Sequence, residues 1–235
     1  MKILAIDTSA KAASTAVVED GRIVAESYIN TKITHSQTIL PMVKSMLESS
    51  GQTIEEIDAF AVSVGPGSFT GLRIGISLVK GMAFGTEKKC IPVSTLEALC
   101  HNVSEKSVIC AVMDARCSQV YTATFEFDGE NYTRITDDEA ISIAKLEENV
   151  KNCKKTVVFV GDGAEMCYNK LKETCDNVSL AAENVRFQKA SSVAFVAEKM
   201  FDDGKTVSAE ELEPSYLRLP QAQRERIAKM GVEER

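Results

Sequence analysis

Short apolar runs and helical stripes alternate along the first part of the chain, and they predict a mixed α/β arrangement. The first apolar run, residues 2–6, ends at Asp7, and an Asp-Gly pair at residues 20–21 joins two further runs as a hairpin. The run over residues 58–64 is unbroken and rich in small and β-branched residues, which is typical of a central strand covered on both faces. The predicted order is three strands, a helix and a fourth strand, at residues 2–6, 14–18, 22–28, 36–50 and 58–64.

A glycine-rich turn follows the fourth strand. Pro66 cannot continue a ladder, and the glycines on either side of it reach backbone angles closed to other residues, so the chain must turn sharply there. The next predicted helix, about 70–85, contains Gly71 and Gly75, and each costs roughly 1 kcal/mol relative to alanine. Three explanations are open: close packing on the chain's own sheet, access for a helix of another subunit, or binding of a phosphate or other anion by the turn.

The second half of the chain repeats this order. An apolar run over residues 107–113 ends at Asp114, an Asp-Gly hairpin signal lies at 128–129, and a second glycine turn lies at 161–163. The repeat indicates a duplicated domain pair. The other predicted elements are strands at 118–127, 132–136 and 156–160, helices at 138–150 and 164–175, a helix at 94–103 that bridges the halves, a last helix at 190–201 and an extended strip at 211–218.

Length and composition are those of a globular protein with room for two lobes. The chain has 235 residues, 44% of them hydrophobic, and we expect an N-terminal lobe at 1–100, a C-terminal lobe at 101–220 and a charged, mobile tail at 221–235. A net charge of −7 argues against autonomous nucleic-acid binding. Seven cysteines without a Cys-x-x-Cys pair favour a reduced, cytoplasmic setting, and no leader or membrane span is expected.

The ends of the first and fourth strands carry the candidate nucleotide-proximal residues. Asp7, Thr8 and Ser9 follow the first strand, and Gly65 and Gly67 follow the fourth. Because α/β folds bind ligands in the crevice at the carboxyl ends of their strands, these residues are placed to approach a nucleotide. The first loop lacks a glycine that would let its backbone approach a phosphate, so a structural role for Asp7, bonding the amides of its own turn, is favoured.

Histidine chemistry is sparse in this chain. His35 and His101 are the two histidines, and neither has a second histidine at metal-ligand spacing. A histidine-based metal site or catalytic triad is therefore not expected. His35 lies near a helix start, which favours a capping or interface role over catalysis.

Five segments together resemble one known family: Ala5-Ile6-Asp7-Thr8-Ser9, His35-Ser36-x-x-Ile39-Leu40-Pro41, the run from Val64 to Gly75, the run from Pro92 to Leu99, and Pro214-x-Tyr216-Leu217-Arg218. These motifs resemble those of the TsaB proteins, also called YeaZ. The match is specific over residues 1–100 and thinner over 101–210. The resemblance implies a duplicated actin-like, Hsp70-like and sugar-kinase-like fold of the ribonuclease H-like type. It also implies a role in making N6-threonylcarbamoyladenosine at position 37 of tRNAs that read ANN codons.

The resemblance further implies a non-catalytic relative of TsaD, the catalytic subunit. TsaD carries a His-x-x-x-His metal motif after an equivalent Pro-Val, and the corresponding residues here are Thr95 and Leu99, which cannot replace imidazole ligands. The implied partners are TsaD and the ATPase TsaE, with a homodimer through the same surface as an alternative. ATP and metal are expected on the partner subunits, no cofactor is expected on this chain alone, and tRNA is expected to be reached only through the complex.

In this family the partner surface lies mainly on two helices, here about 36–50 and 70–85. The bare backbone at Gly71 and Gly75 would let a partner helix approach closely. Replacing Gly75 or Val43 by a bulky charged residue is accordingly expected to break the heterodimer and leave the fold intact. The residues expected at the interface are His35, Ser36, Ile39, Leu40, Val43, Met46, Leu47, Gly71, Leu72, Ile74, Gly75 and Leu78.

Two enzymatic alternatives stay open. Asp7 and the two glycine turns would suit an ATP-dependent kinase or hydrolase of the same fold. A metal-dependent peptidase is suggested only by similarity to proteins once called glycoproteases, and two histidines offer it little support.

Overall fold

The computed structural model describes residues 1–218, and the expected charged tail at 221–235 lies outside the described residues. The first half forms a five-stranded sheet in the order β3-β2-β1-β4-β5, in which β1, β4 and β5 run parallel and β2 and β3 are antiparallel. The predicted strand, helix and turn order of this half is confirmed. Its elements are β1 (Lys2–Asp7), β2 (Ala13–Glu19), β3 (Arg22–Ile29), α1 (His35–Ser50), β4 (Ala59–Gly65), α2 (Phe69–Thr86), β5 (Lys89–Ser94) and α3 (Thr95–Cys100).

The second half forms a six-stranded sheet in the order β11-β10-β6-β7-β8, with β9 also paired to β7. As in the first half, the first strand pairs antiparallel with the second and parallel with the strand that follows the helix. The predicted duplication is therefore confirmed. Its elements are β6 (Ser107–Asp114), β7 (Gln119–Phe127), β8 (Tyr132–Arg134), β9 (Glu139–Ser142), α4 (Ile143–Lys151), β10 (Val157–Val160), α5 (Ala164–Leu171), β11 (Val178–Leu180), α6 (Glu183–Arg186) and α7 (Ala190–Asp202).

Two helices differ from the predicted elements, and three elements were not predicted. The helix expected at 138–150 begins only at Ile143, because residues 139–142 pair with β7 as β9 and Ser142 then caps α4 by accepting a hydrogen bond from the backbone N–H of Lys145. The helix expected at 164–175 ends at Leu171. The sequence patterns do not predict β5, β11 or α6, which are short or carry no clear periodicity.

The last helix corrects the expected domain boundary. The apolar stripe of α7, with Val193 and Ala197, shares a core with Ile3, Ala61 and Ile91 on the face of the first sheet. Helices α1 and α2 cover the other face of that sheet. The chain from about 190 onward therefore returns to the N-terminal lobe, and the expected C-terminal lobe at 101–220 is wrong in its second part.

A strip formed by residues 207–218, here called the C-terminal strip, runs along the N-terminal lobe. Val207 pairs with Cys90 on the edge of β5 through two hydrogen bonds of 2.9 Å, and Leu212 is buried in the core beneath α1 and α2. Helix α3 packs between the lobes, as expected for the bridging helix: Ala98 contributes to a core of the first sheet and Leu99 to a core of the second. Within residues 1–218, no helix is both long and apolar enough to cross a membrane.

Candidate functional site

The loop after β1 is closed around Asp7. The Asp7 Oδ1 atom accepts hydrogen bonds from the backbone N–H of Ser9 (2.9 Å) and from the Ser9 hydroxyl (2.7 Å), while Oδ2 accepts one from the Ser63 hydroxyl (2.6 Å). Asp7 is buried, and that burial raises the pKa of its carboxyl group although these hydrogen bonds oppose the shift. Both carboxylate oxygens are thus occupied by the chain's own loop and by β4, which is the arrangement that a structural role requires.

The glycine turn lies directly against this loop. The backbone N–H of Ser68 donates a 2.7 Å hydrogen bond to the carbonyl oxygen of Ser9, and a Cβ atom on Gly67 would lie only 2.6 Å from that oxygen. The turn is also covered from outside, since a Cβ atom on Gly65 would lie 2.2 Å from the carbonyl oxygen of Ser215 in the C-terminal strip. The five candidate nucleotide-proximal residues lie close together, but they pack on one another and on the C-terminal strip.

The two glycines of the first turns of α2 face inward. A Cβ atom on Gly71 would lie 2.1 Å from the carbonyl oxygen of Thr8, and one on Gly75 would lie 2.5 Å from the Thr8 hydroxyl and 3.4 Å from Val62. Among the three explanations offered by the sequence, close packing on the chain's own lobe is therefore the one that accounts for them. The expectation that Gly71 and Gly75 form an accessible helix face is wrong, because α2 turns that side toward β1 and β4.

A surface groove lies between α1 and α2, with a volume of about 580 Å³. Its lining is mainly apolar: Leu40 is 42% exposed, and Ile74 and Leu78 are half-buried. We call it the α1–α2 groove. Its lining residues are Ser36, Ile39, Leu40, Phe69, Thr70, Arg73, Ile74, Ser77 and Leu78.

The residues expected at an interface divide into two groups. Ser36, Ile39, Leu40, Ile74 and Leu78 line the groove. The others lie elsewhere, because the apolar stripes of both helices are needed for the core of their own lobe. Val43, Met46 and Leu72 are buried, Leu47 packs against the core, and the ring of His35 makes a 2.7 Å hydrogen bond with the carbonyl oxygen of Ala10.

The outward side of α2 was not predicted from the sequence. Phe84 is 75% exposed, and a Cβ atom on Gly81 or on Gly85 would meet no atom within 4 Å. Helix α2 therefore contains two glycine pairs at four-residue spacing, of which the second faces open space. The helical period could have distinguished the two glycine pairs. Phe84 and Gly85 lie eleven residues after Arg73 and Ile74, which is about three helical turns, so they lie on the same outward side of α2.

An aromatic and cationic cluster closes one end of the groove. The rings of Phe69 and Tyr216 are stacked with their centroids 4.7 Å apart, and the Arg73 guanidinium lies 3.9 Å from the Phe69 centroid. The Nε–H of Arg73 donates a 2.9 Å hydrogen bond to the Tyr216 hydroxyl. The cluster fastens the C-terminal strip to the first turns of α2, next to the groove.

The corresponding crevice of the second lobe is also filled by the chain. A Cβ atom on Gly161 would lie 2.1 Å from the carbonyl oxygen of Val112, and one on Gly163 would lie 2.9 Å from the carbonyl carbon of Met113. Burial, together with the charge of nearby Asp114, raises the pKa of Asp162 to about 6. The region described, residues 1–218, contains no cluster of three or more His, Cys, Asp or Glu side chains suited to hold a metal ion.

The second histidine, His101, caps the C-terminal end of α3. His101 stacks on Tyr132 with ring centroids 4.1 Å apart, and burial lowers its pKa to about 4. It borders a smaller cavity of about 290 Å³ between the lobes, whose charged side chains include the ion pair of Arg134 with Glu97. The ring is neutral and packed, with no nucleophile at hydrogen-bond distance among the residues described.

Two like lobes, each with a sheet whose first strand is flanked by an antiparallel and a parallel neighbour, define a protein of the duplicated actin-like, Hsp70-like and sugar-kinase-like class. The (R)-2-hydroxyglutaryl-CoA dehydratase component A of Acidaminococcus fermentans shares this fold, with a TM-score of 0.51 at 13% identity over 85% of this chain and 98% of that one. YeaZ from Pseudomonas aeruginosa is much more similar, with a TM-score of 0.77 and 28% identity over 92% of this chain and 99% of that one.

Sequence comparison defines the family. Residues 22–226 match the family model described as TsaD, tRNA N6-adenosine threonylcarbamoyltransferase. The tRNA threonylcarbamoyladenosine biosynthesis protein TsaB of Escherichia coli is 36% identical over 93% of this chain and 95% of its own length. TsaB of Bacillus subtilis is 28% identical over 95% of this chain and 96% of its own length. The chain belongs to the TsaB family, and the resemblance in its motifs is confirmed.

Proposed function

We propose that this chain is a non-catalytic subunit in the formation of N6-threonylcarbamoyladenosine at position 37 of tRNAs that read ANN codons, and that it binds a TsaD chain through the α1–α2 groove. The observation that carries the proposal is the contrast between two regions of the N-terminal lobe. The crevice at the strand ends is filled by the chain itself, whereas a neighbouring groove on α1 and α2 presents accessible apolar side chains. Exposed contiguous apolar surface is characteristic of interaction sites.

The absence of catalysis is supported by how the crevice is filled. A phosphate would have to lie between the loop after β1 and the glycine turn, where Ser9 and Gly67 are in direct contact. At the positions that resemble the metal motif of TsaD, Thr95 and Leu99 are both buried, and neither offers an imidazole. We therefore place the metal and the ATP chemistry on TsaD and TsaE, and contact with tRNA on the assembled complex in the cytoplasm.

A like-folded partner suits the groove because relatives of this chain include catalytic proteins of the same family. The tRNA N6-adenosine threonylcarbamoyltransferase of Thermomicrobium roseum is 36% identical over 41% of this chain and 31% of its own length. Such a partner would offer a pair of helices equivalent to α1 and α2. The side chains proposed to contact it are those exposed in the groove, including Leu40, Ile74 and Leu78.

The test is reconstitution with and without this chain. TsaD and TsaE of the same organism are expressed with the chain or alone, and threonylcarbamoyladenosine in tRNA is measured by nucleoside analysis, with co-purification of TsaD as the binding readout. We expect a stable complex with TsaD and modified nucleoside only when the chain is present. Full modification without the chain, or failure to co-purify with TsaD, would contradict the proposal.

The alternative, an ATP-dependent kinase or hydrolase of the same fold, can be tested on the isolated chain. Titration with Mg-ATP at millimolar concentration should give no heat of binding if the filled crevice stays closed. Saturable heat with a defined stoichiometry would favour the enzyme.

A further inference from the structure

We infer that Arg73 selects the docking partner by charge: the α1–α2 groove takes an apolar surface that brings a carboxylate to Arg73, and it disfavours a second copy of this chain. The inference rests on the proposed docking function and names the chemistry that the partner must supply.

The Arg73 guanidinium is held in place before any partner arrives. It lies 3.9 Å from the centroid of the Phe69 ring, and its Nε–H donates a 2.9 Å hydrogen bond to the hydroxyl of Tyr216, whose own ring stacks on Phe69. Because two rings and one hydrogen bond already fix the side chain, little rotamer entropy is left to lose when a partner binds.

The terminal nitrogens of this guanidinium are available for a partner. Within residues 1–218, neither Nη1 nor Nη2 of Arg73 takes part in a hydrogen bond or an ion pair. A planar guanidinium with its terminal donors open is suited to a bidentate pair with a carboxylate. Arrangements of this kind, an arginine stacked among aromatic rings beside an apolar surface, are typical of the residues that dominate binding energy at interfaces.

A partner must bring a carboxylate because covering the groove removes water from the charged Arg73 side chain. Arg73 is the only charged side chain among the described residues that line the groove, and the rest of the lining is apolar or carries hydroxyl groups. A partner that covers the groove removes water from the guanidinium, which is unfavourable unless an anionic group replaces that water. A fitting partner therefore places a Glu or Asp side chain, or a chain-terminal carboxylate, at the Phe69 end of the groove.

The described groove lining of a second copy of this chain does not supply such a carboxylate. In a twofold dimer each groove would face its own copy, and the described lining contains no Asp or Glu to receive Arg73. Helices α1 and α2 together carry three basic residues, Lys44, Arg73 and Lys80, and one acidic residue, Glu48, although the whole chain has a net charge of −7. A second copy would bring another Arg73 toward this surface in place of a carboxylate, so it is a poorer partner than an acidic surface.

The test compares two affinities for the same variants of the full chain. Dissociation constants for TsaD of the same organism are measured by titration calorimetry, and self-association is measured by sedimentation equilibrium. Arg73→Gln should weaken TsaD binding at least tenfold, and Arg73→Glu more strongly, while self-association is unchanged or increased in both. Arg73→Lys, which keeps the charge but loses the fork geometry, should give an intermediate loss. Lys170→Gln, which removes one exposed positive charge from the other lobe, is the matched control and should change neither affinity.

The salt dependence gives a second readout that does not depend on any one variant. Raising the salt concentration should weaken TsaD binding by the wild-type chain more than TsaD binding by Arg73→Gln, because the screened ion pair is present only in the former. Thermal melting of each variant checks that it is folded. If Arg73→Gln binds TsaD as tightly as the wild-type chain, or loses TsaD binding and self-association equally, the inference is overturned while the proposed docking function stands. Failure of the wild-type chain to bind TsaD would overturn the docking function, and with it this inference.

Discussion

The hydroxyl of Thr8 donates a 2.8 Å hydrogen bond to the carbonyl oxygen of Gly71, and this bond fastens the loop after β1 to the first turn of α2. The approach is so close that a Cβ atom on Gly71 would lie 2.1 Å from the carbonyl oxygen of Thr8. The glycine is therefore a consequence of internal packing. The same contact fixes the start of the helix that presents the groove.

Gly71→Ala should destabilise the fold, because the new methyl group meets backbone that cannot move aside. Overpacking in a well-packed core typically costs about 1 to 3 kcal/mol, and we expect a loss of about 3 kcal/mol here because the clash is with a carbonyl oxygen. Gly81→Ala, in the same helix but facing open space, should instead raise the free energy of unfolding by about 1 kcal/mol. Urea unfolding of both variants measures the difference, and equal effects would contradict the inward orientation of Gly71.

A charged substitution should have different effects at Leu40 and at Val43, although the two residues lie about one helical turn apart on α1. Leu40 is 42% exposed in the groove and Val43 is only 2% exposed, in the core. Leu40→Asp should abolish co-elution with TsaD and change the free energy of unfolding by less than about 0.5 kcal/mol. Val43→Asp should unfold the lobe, because it buries an unpaired carboxylate.

Size-exclusion chromatography with TsaD, together with thermal melting, separates the two outcomes. Ile23→Asp serves as the control for a charge placed on an exposed apolar residue outside the groove, at 45% exposure on β3. An undisturbed complex with Leu40→Asp, or an equal loss with Ile23→Asp, would show that the groove is not the docking surface. The expectation that Val43 could be replaced without harm to the fold does not fit its burial.

Much of this fold is encoded locally. The Asp-Gly hairpin, the central strand and the two glycine turns were predictable because each depends on neighbours in sequence, such as the twist of a hairpin or the period of a buried strand. The orientation of Gly71 and Gly75 was not predictable in the same way. A glycine signals that something approaches closely, but whether that is Thr8 of the same chain or a partner helix depends on how α2 is rotated on the sheet.

Contacts between residues far apart in the sequence could not be predicted either. The stripe of Val193, Val196 and Ala197 predicts α7, yet the stripe fits any apolar face, and its location on the first sheet follows from the path through residues 187–190. At the start of α7, the backbone N–H of Ala190 donates a 2.8 Å hydrogen bond to the hydroxyl of Ser14 on β2. The contact of Tyr216 with Phe69 likewise spans 147 positions and leaves no periodic trace in the sequence.

Tyr216→Ala should loosen the C-terminal strip. The substitution removes the stack on Phe69 and the acceptor for the Nε–H of Arg73, and an aromatic pair of this kind contributes about 0.5 to 1.5 kcal/mol beyond its burial. Hydrogen exchange of backbone amides around Ser215, whose N–H donates to the carbonyl oxygen of Val64, should then speed up. Tyr216→Phe keeps the stack and should have a much smaller effect. Unchanged exchange at Ser215 in Tyr216→Ala would mean that Leu212 alone anchors the strip.

Asp162 makes the stability of the second lobe depend on pH. Burial raises its pKa from about 3.8 to about 6, so the folded state holds a proton that the unfolded state releases more readily. The stability that the neutral, protonated Asp162 side chain contributes is therefore fully present below about pH 4, and it is lost as the pH rises through about 6. Above that pH the buried charge costs roughly 2 to 3 kcal/mol, since one pKa unit corresponds to about 1.4 kcal/mol.

Asp162→Asn should remove this cost and thereby stabilise the protein at neutral pH. We expect the free energy of unfolding of the variant to exceed that of the wild-type chain at pH 8, with the gain shrinking toward zero near pH 4, because the wild-type carboxyl group is by then protonated and neutral as well. Urea unfolding at several pH values measures the difference. Asp137→Asn removes one carboxylate at an exposed position of the same lobe and should show no such trend. A gain that stays constant from pH 4 to pH 8 would contradict a raised pKa of Asp162. A loss at pH 8 would mean that the Asp162 carboxylate is stabilised in the fold by a partner that the asparagine amide cannot replace.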